Sequence, residues 1–243
     1  MYNVLVVEDS KIAKDMVERM LSQSEDYNMV AAIENAANEA IICVRNTIDL
    51  ILMDVVTAGD ESGLEAAADI KQKYPNIQCI GNVEAWGTDR PSWRSREPVD
   101  ILDEHYYRNP AWFADAYTKY DNYYRRAPKI YVGEYAVTSQ FGKVGNQNAA
   151  LGEAVYMLGM ENNGDIVTMA SYAPIFVNDN ASNWPTDMIH FNASQAFGTP
   201  SYWVQNLFSN HVGTRTVPQT LKWNLPEPKP VEAKLPLHVG VGT

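Results

Sequence analysis

The chain has 243 residues, of which 46% are hydrophobic and 20% are charged, a composition typical of a globular protein. Its formal net charge of −11 disfavours nonspecific binding to nucleic acid or to an anionic membrane, and no apolar run is long enough to span a bilayer. The N-terminus lacks the basic start and apolar core of a signal peptide, and Cys43 and Cys79 fit free thiols in a reducing compartment, so we expect a cytoplasmic protein.

Charged and aromatic residues are distributed unevenly along the chain. Residues 1–80 hold 14 acidic and 6 basic side chains, a net charge of −8, whereas the other 163 residues hold 16 and 13. Only three aromatic residues lie before residue 81, and all six tryptophans follow it. Aromatic residues thus concentrate in the second part, and the two parts of the chain are predicted to have different compositional origins.

Residues 1–80 alternate between apolar, β-branched runs and segments in which apolar residues recur at helical spacing. The run 3–7 is continuous, as expected of a parallel strand that is buried on both faces, and Ser10 is a suitable N-cap for the next helix. This alternation predicts a doubly wound α/β fold with right-handed crossovers. The predicted strands are 3–7, 29–33, 49–53 and 77–80, and the predicted helices are 12–21, 36–44 and 63–73.

Acidic residues close two of these strands: Glu8 and Asp9 follow the first, and Asp54 follows the third. With its neighbouring motifs this pattern resembles a response-regulator receiver domain over about residues 1–80. The resemblance implies that Asp54 accepts a phosphoryl group from a small phosphodonor or a histidine kinase, and that Glu8, Asp9 and Asp54 hold Mg²⁺. Carboxylate oxygens suit a hard cation, and ligands gather at strand C-termini in open α/β sheets. The motifs are LVVEDS at 5–10, LILMDV at 50–55 and SGLEAA at 62–67.

The receiver pattern is incomplete. It requires a Ser or Thr at the end of strand four and a Lys at the end of strand five, which sense the phosphoryl group. Here strand four leads into Gly81 and Asn82, and no fifth receiver strand follows. We therefore expect no sensing of a phosphorylated Asp54, and the sequence contains no visible DNA-binding output domain.

The remainder of the chain divides into three segments. Residues 81–98 are rich in turn formers and tryptophan and are predicted to be a linking loop. Residues 99–218 form the second structured part, and the proline-rich residues 219–243 are predicted to be an extended tail or a β-sandwich stub. In the second part we predict strands near 100, 130 and 166 and helices at 110–124 and 148–161.

The second part carries short strands that end in polar and aromatic groups: DEHYY at 103–107, VGEYA at 132–136 and MASYAP at 169–174. Together they resemble the last strands of the catalytic barrel of glycoside hydrolase family 51, the α-L-arabinofuranosidases, over about residues 84–218. A barrel strand that presents a Glu at its C-terminal end is a common way to position a catalytic carboxylate. The resemblance implies an arabinofuranoside-type substrate and no cofactor for hydrolysis. It also implies a nucleophile, Glu134, and sugar-lining residues His105, Tyr106, Tyr172 and Trp184.

The acid/base residue is the gap in this resemblance. Retaining glycosidases need two carboxylates about 5–5.5 Å apart, one to attack and one to protonate the leaving oxygen. In the family the acid follows Gly-Asn on an earlier strand, in a half of the barrel that this chain lacks. Glu84, in Gly81-Asn82-Val83-Glu84, has one residue too many after Asn and is a weak candidate. We therefore expect impaired hydrolysis.

The two parts are compatible as folds. Flavodoxin-like βα units and (β/α)₈-barrel units share strand length, helix cover and right-handed crossovers, so we predict a hybrid or incomplete (β/α)₈-like barrel. The sequence predicts seven strands, and either an eighth comes from the region after 186 or the barrel stays incomplete. Three functions follow: a chimera with weak arabinofuranosidase activity, a phosphoryl-accepting module without an output domain, or a catalytically silent fold chimera.

Overall fold

A computed structural model describes residues 1–82, 99–182, 184, 186–215 and 217. The chain divides into two compact units, Met1–Val212 and Gly213–Thr243. All the secondary structure given below belongs to the first unit. Glu84 and most of the predicted tail lie outside the described residues. None of the described helices is long and apolar enough to cross a membrane.

The described chain is a mixed α/β fold with parallel sheets and six α-helices, which confirms the predicted class. Three short 3₁₀ segments lie at Ala36–Asn38, Ala116–Thr118 and Gln140–Gly145. The strands are β1 (Tyr2–Val7), β2 (Tyr27–Ile33), β3 (Leu50–Met53), β4 (Ile80–Gly81), β5 (Ile101–Arg108), β6 (Lys129–Val137), β7 (Val167–Tyr172), β8 (Phe176–Asn178), β9 (Ile189–Phe191) and β10 (Ala196–Gly198). The helices are α1 (Lys11–Ser22), α2 (Glu39–Arg45), α3 (Gly63–Lys73), α4 (Pro110–Asp115), α5 (Gln147–Asn162) and α6 (Pro200–Asn210).

Side-chain caps fix where the helices begin. The Ser10 hydroxyl accepts a hydrogen bond from the Ala13 amide, and Ser62 forms a reciprocal capping box with Glu65. Asn109 and Thr199 cap α4 and α6, each of which has proline at its first position. These caps satisfy amide groups that a helix leaves without internal partners.

Two parallel sheets carry the fold. The first has the strand order β2-β1-β3, and the second has the order β4-β5-β6-β7. Within the described residues no ladder joins β3 to β4, so the joined seven-strand arrangement stays a prediction. A small third sheet, β10-β9-β8, follows β7.

Each parallel sheet has its own core. The first core is small and forms where Leu5 and Val7 meet Ala36 and Ala66. The second is larger and rich in tyrosine, with Tyr106, Tyr135 and Tyr156 fully or almost fully buried. The uneven distribution of aromatic residues in the sequence therefore reappears as two cores of different chemistry.

The junction between the two sheets is held by Asp100. Its Oδ2 atom accepts hydrogen bonds from Lys71 Nζ at 2.7 Å and from the Cys79 amide at 2.8 Å. Burial alone would raise the pKa of Asp100, but these hydrogen bonds and the lysine charge outweigh it and lower the pKa. The contacts fasten the end of α3 to the start of β5.

One predicted helix is shorter than expected. The spacing predicted a helix over 110–124, whereas α4 ends at Asp115 and is followed only by the 3₁₀ turn Ala116–Thr118. The chain then turns so that Tyr120 is fully buried, with its hydroxyl 2.7 Å from that of Tyr156. Burial of this tyrosine outweighs continuation of the helix.

Candidate functional site

The pleat of β5 separates its side chains into two groups. Asp103, His105 and Tyr107 share one face of the strand, and Glu104 and Tyr106 point to the other. The parallel register places His105 opposite Glu134 of β6, with Tyr107 two pairs further along, opposite Ala136. Glu134 therefore belongs to the face of His105 and Tyr107.

The Glu134 carboxylate accepts a hydrogen bond from the neighbouring strand and remains open to solvent. The Tyr107 hydroxyl donates to Glu134 Oε2, and His105 Nδ1 lies 3.5 Å from the same oxygen. The Glu134 side chain is 41% exposed. Burial, together with the negative charge it contacts, raises the pKa of Tyr107, so this hydroxyl remains a donor at neutral pH.

His105 is the centre of a polar cluster. Its Nε2 atom lies 3.1 Å from Asp103 Oδ2 and 2.7 Å from Asn82 Nδ2, and Asn82 Nδ2 is also 2.8 Å from Asp103 Oδ2. Burial lowers the pKa of His105, but the Asp103 hydrogen bond and the charges of Asp103 and Glu134 outweigh this and raise the pKa. Two carboxylates, those of Asp103 and Glu134, therefore flank the imidazole ring.

Gly133 permits this cluster to form. Its amide donates to Asp103 Oδ1 at 3.0 Å, and a Cβ atom at this position would lie 2.1 Å from the same oxygen. The register of β5 and β6 shifts here. Asp103 pairs with Tyr131 and His105 pairs with Glu134, so β6 has one residue more than β5 between the two pairs. Such a bulge re-aims side chains, and here it brings Glu134 level with His105.

An aromatic wall borders the carboxylate. The Trp184 ring meets the Tyr107 ring edge-on, with centroids 5.8 Å apart. Two of the predicted sugar-lining residues therefore lie near the Glu134 carboxylate. His105 is next to that carboxylate, and Trp184 contacts Tyr107, which donates a hydrogen bond to it.

The other two predicted sugar-lining residues lie in the core. Tyr106 is fully buried, stacks on Trp112 and donates a 2.6 Å hydrogen bond to Glu104 Oε2. Tyr172 is buried against Tyr135, which also faces the core. Neither residue is brought to the face of Glu134, because both occupy the opposite phase of their strands' pleat.

Glu104 also points away from Glu134. It is buried and accepts hydrogen bonds from the hydroxyls of Tyr106, Tyr120 and Tyr123. A carboxylate in this position is a structural group of the tyrosine core.

Tyr107, Asp103 and Asn82 are site residues that the sequence reasoning did not assign. Period-two counting from His105 would have found Asp103 and Tyr107, since both lie two positions away on one strand. Asn82 was noted only as part of the Gly-Asn pair before Glu84, and it reaches the cluster through the pairing of β4 with β5.

A second candidate site lies at the C-terminal ends of β1 and β3. Glu8, Asp9 and Asp54 each offer a carboxylate oxygen, and the three oxygens lie within 4.8 Å of one another. The amides of Ser10 and Val55 donate to Glu8 Oε1 at 2.8 Å and to Asp54 Oδ1 at 2.7 Å. The structure therefore brings together all three predicted ligands, and this oxygen-only set fits a hard divalent cation.

The fold and these sites define an α/β protein in which each parallel sheet presents carboxylates: Glu134 in the C-terminal half of β6, and Glu8, Asp9 and Asp54 just after β1 and β3. The sequence matches the family model of the response regulator receiver domain over residues 4–85 and that of the α-L-arabinofuranosidase C-terminal domain over residues 133–232. The chain thus joins a response-regulator receiver segment to a segment of the α-L-arabinofuranosidases, as the motifs predicted.

Individual relatives agree with the second assignment. The chain is 43% identical over 155 residues to α-L-arabinofuranosidase 1 of Arabidopsis thaliana, which covers 64% of this chain and 22% of that protein. It is 40% identical over 156 residues to an extracellular exo-α-L-arabinofuranosidase of Streptomyces chartreusis, which covers 62% of this chain and 18% of the relative. The chain therefore spans about a fifth of the length of these relatives.

A solved structure extends the likeness to the fold. An arabinose-bound GH51 α-L-arabinofuranosidase superposes with a TM-score of 0.55 and 26% identity, covering 78% of this chain and 32% of the other.

Proposed function

We propose that the arabinofuranosidase-like part binds an arabinofuranoside-type sugar and cleaves its glycosidic bond through Glu134, with impaired protonation of the leaving group. The observation that carries this proposal is a solvent-open carboxylate in the C-terminal half of β6, bonded to Tyr107 and flanked by His105. This proposal extends the likeness to relatives that are several times longer than this chain.

Glu134 acts as the nucleophile. Among the described residues, the contacts of its carboxylate with Tyr107 and His105 both involve Oε2, so we assign the attack on the anomeric carbon to Oε1. The bond from that carbon to the leaving oxygen breaks as the bond to Oε1 forms, and water then hydrolyses the glycosyl-enzyme. Tyr107 and His105 hold the carboxylate in place, and Trp184 provides an aromatic wall for the sugar.

Proton donation is the weak step of this mechanism. Glu84 is the candidate acid, and it lies outside the described residues. A substrate whose leaving group departs without protonation therefore isolates the function of Glu134 from that of the acid.

The experiment is pre-steady-state hydrolysis of 2,4-dinitrophenyl α-L-arabinofuranoside. We expect a burst of dinitrophenolate equal to the active protein concentration, because glycosylation of Glu134 precedes slower hydrolysis. The same reaction followed by intact-mass measurement is expected to show an arabinosyl adduct. Glu134→Gln removes the nucleophile and should abolish both signals.

Glu161→Gln, which neutralises an exposed glutamate near the end of α5, is the matched control and should retain the burst. Absence of a burst in a folded wild-type protein, or a burst that persists in Glu134→Gln, contradicts the proposed nucleophile.

A second proposed activity belongs to the receiver segment. Asp54 would accept a phosphoryl group from a small phosphodonor or a histidine kinase, with Mg²⁺ held by Glu8, Asp9 and Asp54. The observation that favours it is the convergence of these three carboxylates. Bound Mg²⁺ would offset the negative charge of the incoming phosphoryl group and of the attacking Asp54 oxygen.

Acetyl phosphate tests this activity directly. The phosphoryl group passes to an Asp54 oxygen and acetate leaves, so we expect a mass gain of one phosphoryl group that requires Mg²⁺ and is lost in Asp54→Asn. If neither phosphorylation nor the burst is observed, the remaining interpretation is a catalytically silent fold chimera.

We also propose that the two parallel sheets continue one another as an incomplete (β/α)₈-like barrel. Support comes from the superposition on the arabinofuranosidase, which covers 78% of this chain, more than the 64% that the first sequence relative matches. Small-angle scattering tests this arrangement, because a continuous half-barrel and two separately moving sheets differ in radius of gyration.

A further inference from the structure

Helix α1 exposes a stripe of apolar side chains. Ile12, Met16 and Met20 recur every four residues and are 75%, 60% and 68% exposed. None of the α1 residues, all of which the structure describes, is fully buried. The apolar surface of α1 is therefore wider than the surface that α1 packs against its own sheet.

The orientation of α1 shows where this stripe points. Lys14 Nζ lies 2.6 Å from Glu34 Oε1, and Glu34 directly follows β2, an edge strand. At about 100° per residue, Lys14 and the stripe lie on opposite sides of the partly buried positions Ala13, Val17 and Leu21. The stripe therefore faces away from the β2 edge, toward β1 and β3.

The sheet below the stripe is also open. Ile51 and Met53 of β3 pack in the first core, whereas Leu50 and Leu52 alternate to the other face and are 41% and 37% exposed. In the strand order β2-β1-β3, the chain moves across the sheet in one direction from β1 to β2 and in the other direction from β2 to β3. Because both crossovers are right-handed, α1 and α2 lie on opposite faces of the sheet. Leu50 and Leu52 thus share the face of α1.

These side chains line one surface, which we call the β3 groove: Ile12, Met16, Met20, Leu50 and Leu52. The groove lies beside α1 and above β3. Helices that pack side by side lie about 8–10 Å apart, so a further helix on this face would lie beside α1 and over β3.

Acidic side chains stand at both ends of the groove. Asp49 stands at the start of β3, and Glu8, Asp9 and Asp54 stand at the opposite end of the same sheet. Residues 1–80 have a net charge of −8, and two of their six basic side chains, Lys14 and Lys71, already form ion pairs. A helix with basic residues next to its apolar stripe therefore complements the groove in both shape and charge.

We propose that the β3 groove binds an amphipathic helix from a partner, with leucine-like side chains on one face and lysine or arginine beside them. A second copy of this chain fits less well, because its own α1 is already packed on a sheet through Ala13, Val17 and Leu21 and would bring that sheet into the same space. This proposal is independent of catalysis at Glu134.

The probe is a fluorescein-labelled peptide of leucine and lysine, about 14 residues and four turns long, with leucines at helical spacing. We expect a saturable rise in anisotropy with a dissociation constant on the order of micromolar, weakened at high salt. Met16→Lys and Leu52→Lys should weaken binding about tenfold or more, since each places a charge in the apolar floor. Leu158→Lys, an equally large change at an exposed position of α5, is the matched control and should bind like wild type.

Two further peptides separate shape from charge. A peptide of the same composition that alternates leucine and lysine lacks a helical stripe, and one in which glutamate replaces lysine lacks the complementary charge. Both are expected to bind about tenfold more weakly or worse. Equal binding of either peptide overturns that part of the proposal.

The whole proposal is overturned by absence of peptide binding to the folded wild type, or by equal binding to Met16→Lys, Leu52→Lys and Leu158→Lys. Circular dichroism establishes that each variant is folded. Sedimentation equilibrium tests whether a second copy of the chain occupies the groove. A wild-type dimer that is dissociated by Met16→Lys would identify the second copy as the occupant and contradict the proposal of a partner helix.

Discussion

The Tyr107 hydroxyl donates to Glu134 Oε2 from the neighbouring parallel strand, and this single hydrogen bond joins the DEHYY and VGEYA motifs into one site. The two side chains meet because the register places His105 opposite Glu134 and Tyr107 two pairs further along, on the same face of the sheet. The bond orients a carboxylate that solvent can reach, which is the requirement for a positioned nucleophile.

Replacing Tyr107 with Phe tests how much this orientation contributes. We expect the burst with dinitrophenyl arabinofuranoside to slow by about 10- to 100-fold, a loss on the scale of removing one preorganised donor, with little change in the free energy of unfolding. Stopped-flow absorbance measures the burst rate. Tyr124→Phe, at an exposed position, is the control. A rate equal to that of wild type would show that Tyr107 does not position Glu134.

His105 should make stability depend on pH. Its pKa is raised in the folded state, so its contribution is fully present below its unfolded pKa of about 6.5 and is lost as pH rises through the folded pKa. Gln does not titrate, so in His105→Gln the free energy of unfolding is expected to change less with pH between about pH 6 and 9 than in wild type. Urea titrations across that range measure it, with His211→Gln at the exposed end of α6 as control. Parallel pH profiles for wild type and His105→Gln would contradict the assignment.

The sequence predicted the strands because their patterns are local. The runs near residues 4, 50, 100, 130 and 166 all fall at or next to observed strands, and the fourth strand is displaced by only a few residues, to Ile80–Gly81. Pairing between the sheets depends on contacts distant in sequence, such as Lys71 with Asp100, which no periodicity reveals. The hybrid barrel therefore stays a prediction.

The candidate sites were predictable to different degrees. Glu8, Asp9 and Asp54 end adjacent strands, and parallel strands bring their C-terminal ends to one edge, so their convergence follows from the pattern. Tyr106 and Tyr172 were expected beside the sugar because of the motif that contains them, but the pleat places them in the core. Motif membership therefore predicts proximity along the strand, whereas the pleat decides the face.

Gly133→Ala should disrupt the His105 cluster. The new Cβ would lie 2.1 Å from Asp103 Oδ1, so Asp103 must move away from both the Gly133 amide and His105. We expect a destabilisation of about 1–3 kcal/mol and a fall in the pKa of His105, because Asp103 is the main group that raises it. Thermal unfolding and NMR titration of His105 measure the two effects.

Gly164→Ala is the matched control for this substitution. Its nearest contact would be the Glu161 carbonyl oxygen at 3.5 Å, an ordinary van der Waals distance. An unchanged His105 titration in Gly133→Ala would show that Asp103 does not govern the histidine.

Glu153 is a buried carboxyl group whose removal should be costly. Its Oε1 atom accepts a 2.9 Å hydrogen bond from the Val137 amide at the end of β6, and burial raises its pKa despite the nearby hydroxyls of Ser201 and Tyr172. Glu153→Ala leaves the Val137 amide without this partner, which we expect to cost about 1–3 kcal/mol plus a cavity term. Urea denaturation measures the loss, and Glu161→Ala on the exposed side of α5 is the control.

Glu153→Gln separates shape from charge at the same position. Because the folded pKa is raised, the wild-type contribution is fully present below the unfolded pKa of about 4.3 and is lost as pH rises through the folded pKa. Gln keeps the acceptor for Val137 and does not ionise, so the variant should gain stability relative to wild type as pH rises. An advantage that is the same at every pH would contradict this account.

The effect of Asp54→Asn on stability should reverse when Mg²⁺ is added. In the absence of metal, three carboxylate oxygens within 4.8 Å repel one another, and removing one charge should stabilise the fold by up to about 1 kcal/mol at this exposed site. In the presence of Mg²⁺ the wild type gains binding free energy that the variant largely loses, so the order of melting temperatures should invert. Differential scanning calorimetry with EDTA and with excess Mg²⁺ measures both states, and Asp69→Asn on the exposed side of α3 should show no inversion. If Mg²⁺ shifts wild type, Asp54→Asn and Asp69→Asn equally, the three carboxylates do not form the cation site.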